Sequence, residues 1–307
     1  MQALHVGIAP HRLVVASETA NNLTAGSGDP DLATAEIAFG QPEPEQIAAL
    51  DSLRWIHLTS AGYTRYDTDQ VRAALKQRGA ILTNSSSVYD EPCAQHLLAF
   101  MLAGSRRLPE SVIAQSDGPR WDYDRLRPET RLLQGSTVLL VGYGAIAKRL
   151  AQLLAPFDLN LIAFRRQVRG DETVPTYPIE RLGEFLPTAD HVVNILPAND
   201  STNALFGNSL FDLFKPGAGL YNIGRGTTVD QAALIAALES GRLGLAYLDV
   251  TDPEPLPSNH PLWTTPNCWI TPHIGGGHAN EHIRLVEHFL ENLKRFESGS
   301  PLLDRVM

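Results

Sequence analysis

Short apolar runs alternate with segments of helical period along most of the chain. Runs at 55–58, 80–83, 137–141, 161–164, 191–196, 219–223, 245–250 and 268–271 read as strands. They are brief and rich in Val, Ile and Leu, and several are bounded by Gly or Pro, as strands buried on both faces are. After the 137–141 run, Ala147, Leu150, Ala151 and Leu154 recur with a helical period, and the 231–240 segment has Asp230 as its cap and Gly241 as its stop. Strand, helix and strand in succession require parallel pairing through right-handed crossovers. The central half is therefore read as a doubly wound parallel α/β sheet.

A longer amphipathic helix is predicted over 281–297, with Val286, Phe289, Leu290, Leu293 and Phe296 on one face and Gly299-Ser-Pro301 ending it. No later strand follows for it to feed. Packing back onto the first third of the chain makes that first domain discontinuous: 1–94 completed by 276–307, with 95–275 inserted. The 21–31 stretch is the most loop-like.

With 307 residues, 43% of them hydrophobic, the chain can bury the cores of roughly two domains. A net charge of −9 argues against a broad grip on nucleic acid or an anionic membrane. No run approaches the roughly 18 apolar residues of a membrane span, and the start does not read as a signal peptide, so a cytoplasmic protein is expected. Cys93 and Cys268 lack disulfide or metal-ligand spacing and are read as core residues; no metal site is expected.

The candidate chemistry begins at "VLLVGYGAIAKRL" (138–150), where a strand ends in Gly142-Tyr143-Gly144-Ala145-Ile146-Ala147 and leads into a helix. That context is what a dinucleotide fingerprint requires. Gly142 permits the tight turn, Gly144 lets backbone N–H groups approach a pyrophosphate, and the helix N-terminus adds partial positive charge. Ala147 replaces the third glycine. A cofactor without a 2′-phosphate usually meets an acid at the end of the next strand. Here that strand ends in Arg165 and Arg166, which favours a 2′-phosphate, so NADP(H) is expected over NAD(H).

Three later strand ends carry polar residues where α/β sheets place their sites. "YNIGRGTTVD" sets Arg225 after a buried run, "AYLDVTDPEPL" places Glu254 in a proline-rich loop, and "TPHIGG" puts His273 before glycines. Together they suit one task. Arg225 would bind and polarise a 2-keto acid, His273 would exchange a proton with its oxygen, and Glu254 would keep the imidazole charged and oriented.

From about Trp55 onward the sequence resembles the D-isomer-specific 2-hydroxyacid dehydrogenase family. The matching stretches are "SAGYTRYD" (60–67), "GYGAIA" (142–147), "ILPANDST" (195–202), "LFKPGAGLYNIGRGTTVD" (213–230), "LDVTDPEP" (248–255), "TPHIGG" (271–276) and "ENLKRFESGSPL" (291–302). The resemblance implies a Rossmann cofactor domain inserted into a smaller flavodoxin-like α/β substrate domain, in a homodimer. It puts Arg225, Glu254 and His273 on the family's catalytic Arg, Glu and His. Ala61 and Gly62 match the loop whose amides hold the substrate carboxylate. Leu196, Pro197 and Thr202 line the adenine side, while Ile223, Gly224, Asp249 and Gly275 fall near the nicotinamide.

Several positions depart from the pattern. The acidic ribose ligand is replaced by Arg165-Arg166, similar to the NADP-using glyoxylate/hydroxypyruvate reductase branch. The helix that usually begins with Glu-His reads Gln95-His96, and Thr251 stands where an aromatic residue is common. Glu254 stands where formate dehydrogenases of the wider family carry Gln, which argues against formate. The expected activity is reduction of a small 2-keto acid, glyoxylate or hydroxypyruvate first, to a D-2-hydroxy acid. The alternatives are a same-fold enzyme oxidising another small anion such as phosphite, and a non-catalytic NAD(P)-sensing binding protein.

Overall fold

The computed structural model describes residues 2–15, 30–116, 118 and 120–307. Most of the 21–31 stretch read as a loop lies outside the described residues. The chain forms two compact units, Met1–Tyr89 with Gly277–Met307, and Asp90–Gly276. Its strands are β1 (Ile37–Gly40), β2 (Trp55–Leu58), β3 (Ile81–Thr83), β4 (Thr137–Val141), β5 (Asn160–Arg165), β6 (Thr176–Pro178), β7 (His191–Asn194), β8 (Ala218–Asn222), β9 (Leu243–Leu248) and β10 (Cys268–Ile270).

In the first unit β1, β2 and β3 form a parallel sheet in that order. The amphipathic helix Glu281–Glu297 lays its apolar face on it. Phe289 stacks between Phe39 and Trp55, at ring-centroid distances of 4.4 and 5.2 Å, and Phe296 stacks on the same Trp55. Fully burying aromatic side chains of this size is among the largest single contributions a small core receives. One buried position of this helix is polar: the Asn292 amide exchanges two hydrogen bonds with the Leu303 backbone and ties down the C-terminal segment.

The second unit is a seven-stranded parallel sheet in the order β10-β9-β8-β7-β4-β5-β6. Its β4 strand is almost wholly buried, as a Thr-Val-Leu-Leu-Val run with helices on both faces should be. The chain runs β4, β5, β6 toward one edge, then returns to start β7 on the other side of β4. The switch point therefore lies between β4 and β7, and in open α/β sheets the crevice beyond the strand C-termini at such a point takes the ligand.

The helix Gln231–Glu239 begins at Asp230, whose carboxylate accepts from the Ala232 and Ala233 amides, and Gly241 beyond its end has φ +73°. The stop and the cap stand where the sequence placed them. One boundary differs. The helix expected to begin at Gln95-His96 starts at Ser86 and runs to Ser105. Pro92 lies inside it, and Asp304 satisfies its open N-terminus by accepting from the Ser87 amide and hydroxyl at 2.8 and 2.7 Å. A distant carboxylate thus starts a helix that local propensity would have started later.

Candidate active site

The second unit gathers most of the predicted residues at the C-terminal edge of its sheet. Gly142 follows β4 with φ +100°, and a Cβ there would lie 3.0 Å from the Ile195 carbonyl oxygen after β7. Only glycine suits both constraints. Gly144 is exposed with open space where a Cβ would sit, and the helix Ala145–Leu154 begins directly after it without a side-chain cap. The amides of Ala145 and Ile146 at that uncapped end, in a turn with room for a pyrophosphate, fit a dinucleotide. Tyr143 contributes backbone only: its side chain is buried and its hydroxyl is 2.8 Å from Thr173 Oγ1.

The ends of β7 and β8 are held by side chains that the sequence reading passed over. Asn194 and Asn222 are register partners, fully buried, and joined by a 3.0 Å hydrogen bond. Asn194 also donates to Thr228 and accepts from the Leu196 amide, while Asn222 accepts from the Gly224 amide and donates to the Arg225 carbonyl. Thr228 closes the set by donating to that same carbonyl at 2.6 Å. An Asn ending each of two otherwise apolar neighbouring strands was the available signal. Buried amides of this kind are costly unless every donor and acceptor is matched, and here they fix the turns carrying Leu196, Gly224 and Arg225.

Arg225 is mostly buried, and burial lowers its pKa from the ordinary guanidinium value while Glu254 pulls it back up. One of its terminal nitrogens donates to the Gly224 carbonyl, which aims the fork. His273 follows β10 with φ +52°, and its amide donates to the backbone carbonyls of Asp249 and Thr271. Its Nδ1 lies 2.8 Å from Glu254 Oε2. That leaves Nε2 as the ring nitrogen available to a reactant. Burial alone would raise the Glu254 carboxyl. The His273 hydrogen bond, the Thr251 amide and the Arg225 charge outweigh it and hold the group below the usual glutamate range.

Asp249 is placed as the anchor of the His273 loop. Its side chain is buried and accepts from the Thr271 hydroxyl at 2.6 Å and from the Ile274 and Gly275 amides at 3.0 and 2.9 Å, with His96 Nε2 at 3.5 Å. His96 in turn contacts Tyr247 and Thr271. Ile223, Asp249 and His96 converge on Gly275, where a Cβ would meet all three within about 3 Å. Thr202 is buried, and its hydroxyl closes the 197–202 loop by donating to the Pro197 carbonyl at 2.7 Å.

The two arginines expected to meet a 2′-phosphate stand differently. Arg165 is not a free cation: it donates to Glu172 at 2.7 Å, with Asp171 at 3.8 Å. The Arg166 side chain is exposed and has no partner among the described residues. Of the two cysteines read as core, Cys93 is buried and Cys268 half-buried.

Ala61 and Gly62 belong to the other unit, in the loop after β2. Their carbonyls are taken by Asn84 and Ser60, at 2.7 and 2.6 Å, while neither backbone N–H has a partner among the described residues. Two amides left open in a loop otherwise satisfied suit an anion.

Residues 98–275 match the model of the NAD binding domain of D-isomer specific 2-hydroxyacid dehydrogenases. The chain belongs to this family. It is an oxidoreductase with an NAD(P)-binding Rossmann unit. It is 33% identical over 274 residues to a glyoxylate/hydroxypyruvate reductase B of Citrobacter koseri, covering 85% of this chain and 81% of that one. A human glyoxylate reductase/hydroxypyruvate reductase is 34% identical over 235 residues, 74% and 69% of the two chains. Among solved structures, a D-isomer specific 2-hydroxyacid dehydrogenase from Xanthobacter autotrophicus in complex with NADPH superposes with a TM-score of 0.80 at 28% identity, over 100% of this chain and 93% of that one.

Proposed function

We propose that this dehydrogenase reduces a small 2-keto acid, glyoxylate or hydroxypyruvate foremost, to the D-2-hydroxy acid with NADPH. The observation that carries the reading is the 2.8 Å His273–Glu254 pair at the same sheet edge as Arg225. A bound reduced nicotinamide supplies the hydride that adds to C2. The chain's own residues do the rest. Arg225 takes the carboxylate and polarises the carbonyl through its fork, and His273 Nε2 gives its proton to the carbonyl oxygen. Glu254 faces Nδ1 and keeps the ring orientation before and after transfer. The open amides of Ala61 and Gly62 suit a carboxylate oxygen in this reading.

NADPH is favoured by the absence of an acid at the end of β5 and by the exposed Arg166 there. The Xanthobacter structure contains NADPH, which supports the cofactor; the two named relatives are glyoxylate/hydroxypyruvate reductases, which supports the substrate class. A homodimer is supported by exposed Leu108, Val112, Ile113, Trp121, Tyr123 and Leu132, which cluster in one part of the chain. Trp121 is 93% exposed, and a monomer rarely leaves so large an apolar side chain uncovered beside others.

Initial rates with glyoxylate, hydroxypyruvate, pyruvate and phenylpyruvate, each with NADPH and NADH, test the assignment. Highest kcat/KM is expected for a small keto acid with NADPH. The His273→Ala variant should lose about 10²- to 10⁴-fold in rate while binding NADPH as before. Negligible turnover of every keto acid despite NADPH binding would instead identify a sensor.

A further inference from the structure

The loop leaving β5 reads Arg165-Arg-Gln-Val-Arg-Gly-Asp-Glu172, three guanidiniums followed by two acids. Parallel register puts Val141 beside Phe164, and the Gly142 amide donates to the Phe164 carbonyl. The loop therefore starts immediately beside the glycine turn. An acid at the strand end itself would have faced a ribose 2′-hydroxyl. In this chain the acid returns seven residues later and turns inward.

The Glu172 side chain is 5% exposed and that of Arg165 is 15% exposed. Besides Arg165, the Glu172 carboxylate accepts from the Arg169 amide at 2.9 Å and the Gly170 amide at 2.8 Å, and Gly170 has φ +83°. The loop is thus folded around one carboxylate. Its far end is tied to the glycine turn by the Thr173–Tyr143 hydrogen bond, and Lys148 of the following helix lies 3.7 Å from Asp171.

We propose that Glu172 is a positioning residue for cofactor selection: it closes the 165–172 loop around its carboxylate, fixes the Arg165 guanidinium and leaves Arg166 to receive a 2′-phosphate. The inference rests on the NADP reading above.

Two opposite consequences of a carboxylate in this place have to be weighed. As a charge it subtracts from the field of the arginines. As an acceptor it orders two amides and one guanidinium that would otherwise be mobile. An arginine presents five N–H donors, so engaging one nitrogen with Glu172 leaves the others for a phosphate, already oriented. The carboxyl is held at about 2, first by the Arg169 amide and then, against the cost of burial, by Arg165 and the Gly170 amide. It is therefore ionised at any pH where the enzyme works, a constant feature of the loop. Pre-ordering a long, flexible side chain removes an entropic cost from binding. The charge that Glu172 cancels is that of Arg165, its own partner, while Arg166 stands exposed outside the pair, so ordering outweighs the lost charge.

The test is calorimetric binding of NADP⁺, NAD⁺ and 2′-AMP to the parent, Glu172→Gln and Arg166→Ala, with amide hydrogen exchange of the 166–171 segment. Arg166→Ala examines the NADP reading: it should weaken NADP⁺ and 2′-AMP about 10-fold and leave NAD⁺ unchanged. Equal NADP⁺ binding in parent and Arg166→Ala would remove that reading. Glu172→Gln is nearly isosteric. It should weaken NADP⁺ and 2′-AMP several-fold, spare NAD⁺, and speed exchange at Arg169 and Gly170. If Arg166→Ala behaves as expected while Glu172→Gln binds NADP⁺ equally or more tightly, Glu172 is no positioning residue. Equal loss of NAD⁺ and NADP⁺ in Glu172→Gln would show a general scaffold role and overturn the proposal as well.

Discussion

Nδ1 of His273 and Oε2 of Glu254 stand 2.8 Å apart, although the two residues reach the site from different loops, one after β9 and one after β10. Each loop is separately pinned: the first by Thr251, whose amide donates to Glu254 Oε1, and the second by Asp249. The pair is a product of the scaffold rather than of sequence proximity.

The coupling between these groups is mutual, and His273 helps hold the Glu254 carboxyl below its usual range. Glu254→Gln removes the carboxylate that holds the His273 ring through Nδ1. A proton donor no longer held in place should cost about 10²-fold in kcat/KM. Measured kcat/KM for parent and variant checks this. Equal values would disconnect Glu254 from the proton donor.

Arg225 sits on a buried amide network with its fork aimed by the Gly224 carbonyl. In Arg225→Lys a point charge replaces a planar fork, on a shorter set of donors. The loss should be at least about 10²-fold in kcat/KM, shared between keto-acid KM and kcat, with NADPH affinity retained. A variant with parental kinetics would remove the arginine from the substrate.

The buried parallel strands and the long amphipathic helix were legible because they repeat one signal several times. Two strands were not. β6 is a three-residue edge strand ending in Pro178, and β1 offers only Ala38 as a fully buried position, so neither carries a clear alternation. At the site, Arg225, Glu254 and His273 were legible as chemistry standing after strands. Asn194, Asn222 and Thr228 were not, since a buried amide is recognised by its partners and those come together only in the fold. The inward turn of Glu172 was hidden for the same reason: a loop carboxylate reads as solvated until the amides it accepts from are known.

Gly226 is expected to be intolerant of a methyl group. Its Cβ would lie 1.9 Å from the Thr251 carbonyl oxygen and 2.7 Å from the Asp252 nitrogen, both backbone atoms that cannot rotate away. Either the Arg225 turn or the 251–254 loop has to move, and Gln231 holds that loop by bonding both the carbonyl and the amide of Asp252. Gly226→Ala should cost about 1–3 kcal/mol of stability, seen as a lower urea midpoint. It should also lower kcat out of proportion to cofactor affinity, because Glu254 shifts with Thr251. A folded, fully active variant would show that the two loops tolerate displacement.

In the first unit, His57 makes stability depend on pH. It is a fully buried residue of β2, with Nδ1 2.7 Å from the Thr83 hydroxyl and Nε2 3.2 Å from Ser85. Burial first, and the facing His288 second, push its pKa down to about 3 against the opposite pull of Asp304. The unfolded chain takes up this proton below about 6.5, whereas the folded chain refuses it until about 3. Stability is therefore full above 6.5 and declines as the pH falls toward 3, by up to about 1.4 kcal/mol per pH unit from this group. His191, half-buried and lowered to about 4 by desolvation, adds a similar slope over the upper part of that range. Asp304 contributes elsewhere: its depressed carboxyl gives stability above the ordinary aspartate pKa that is lost only at lower pH. Urea midpoints at pH 7, 6 and 5 should fall steadily in the parent. His57→Gln should be less stable at pH 7, since its ring bonds are lost, yet show a visibly shallower decline. An unchanged slope would mean that His57 is protonated in the folded state.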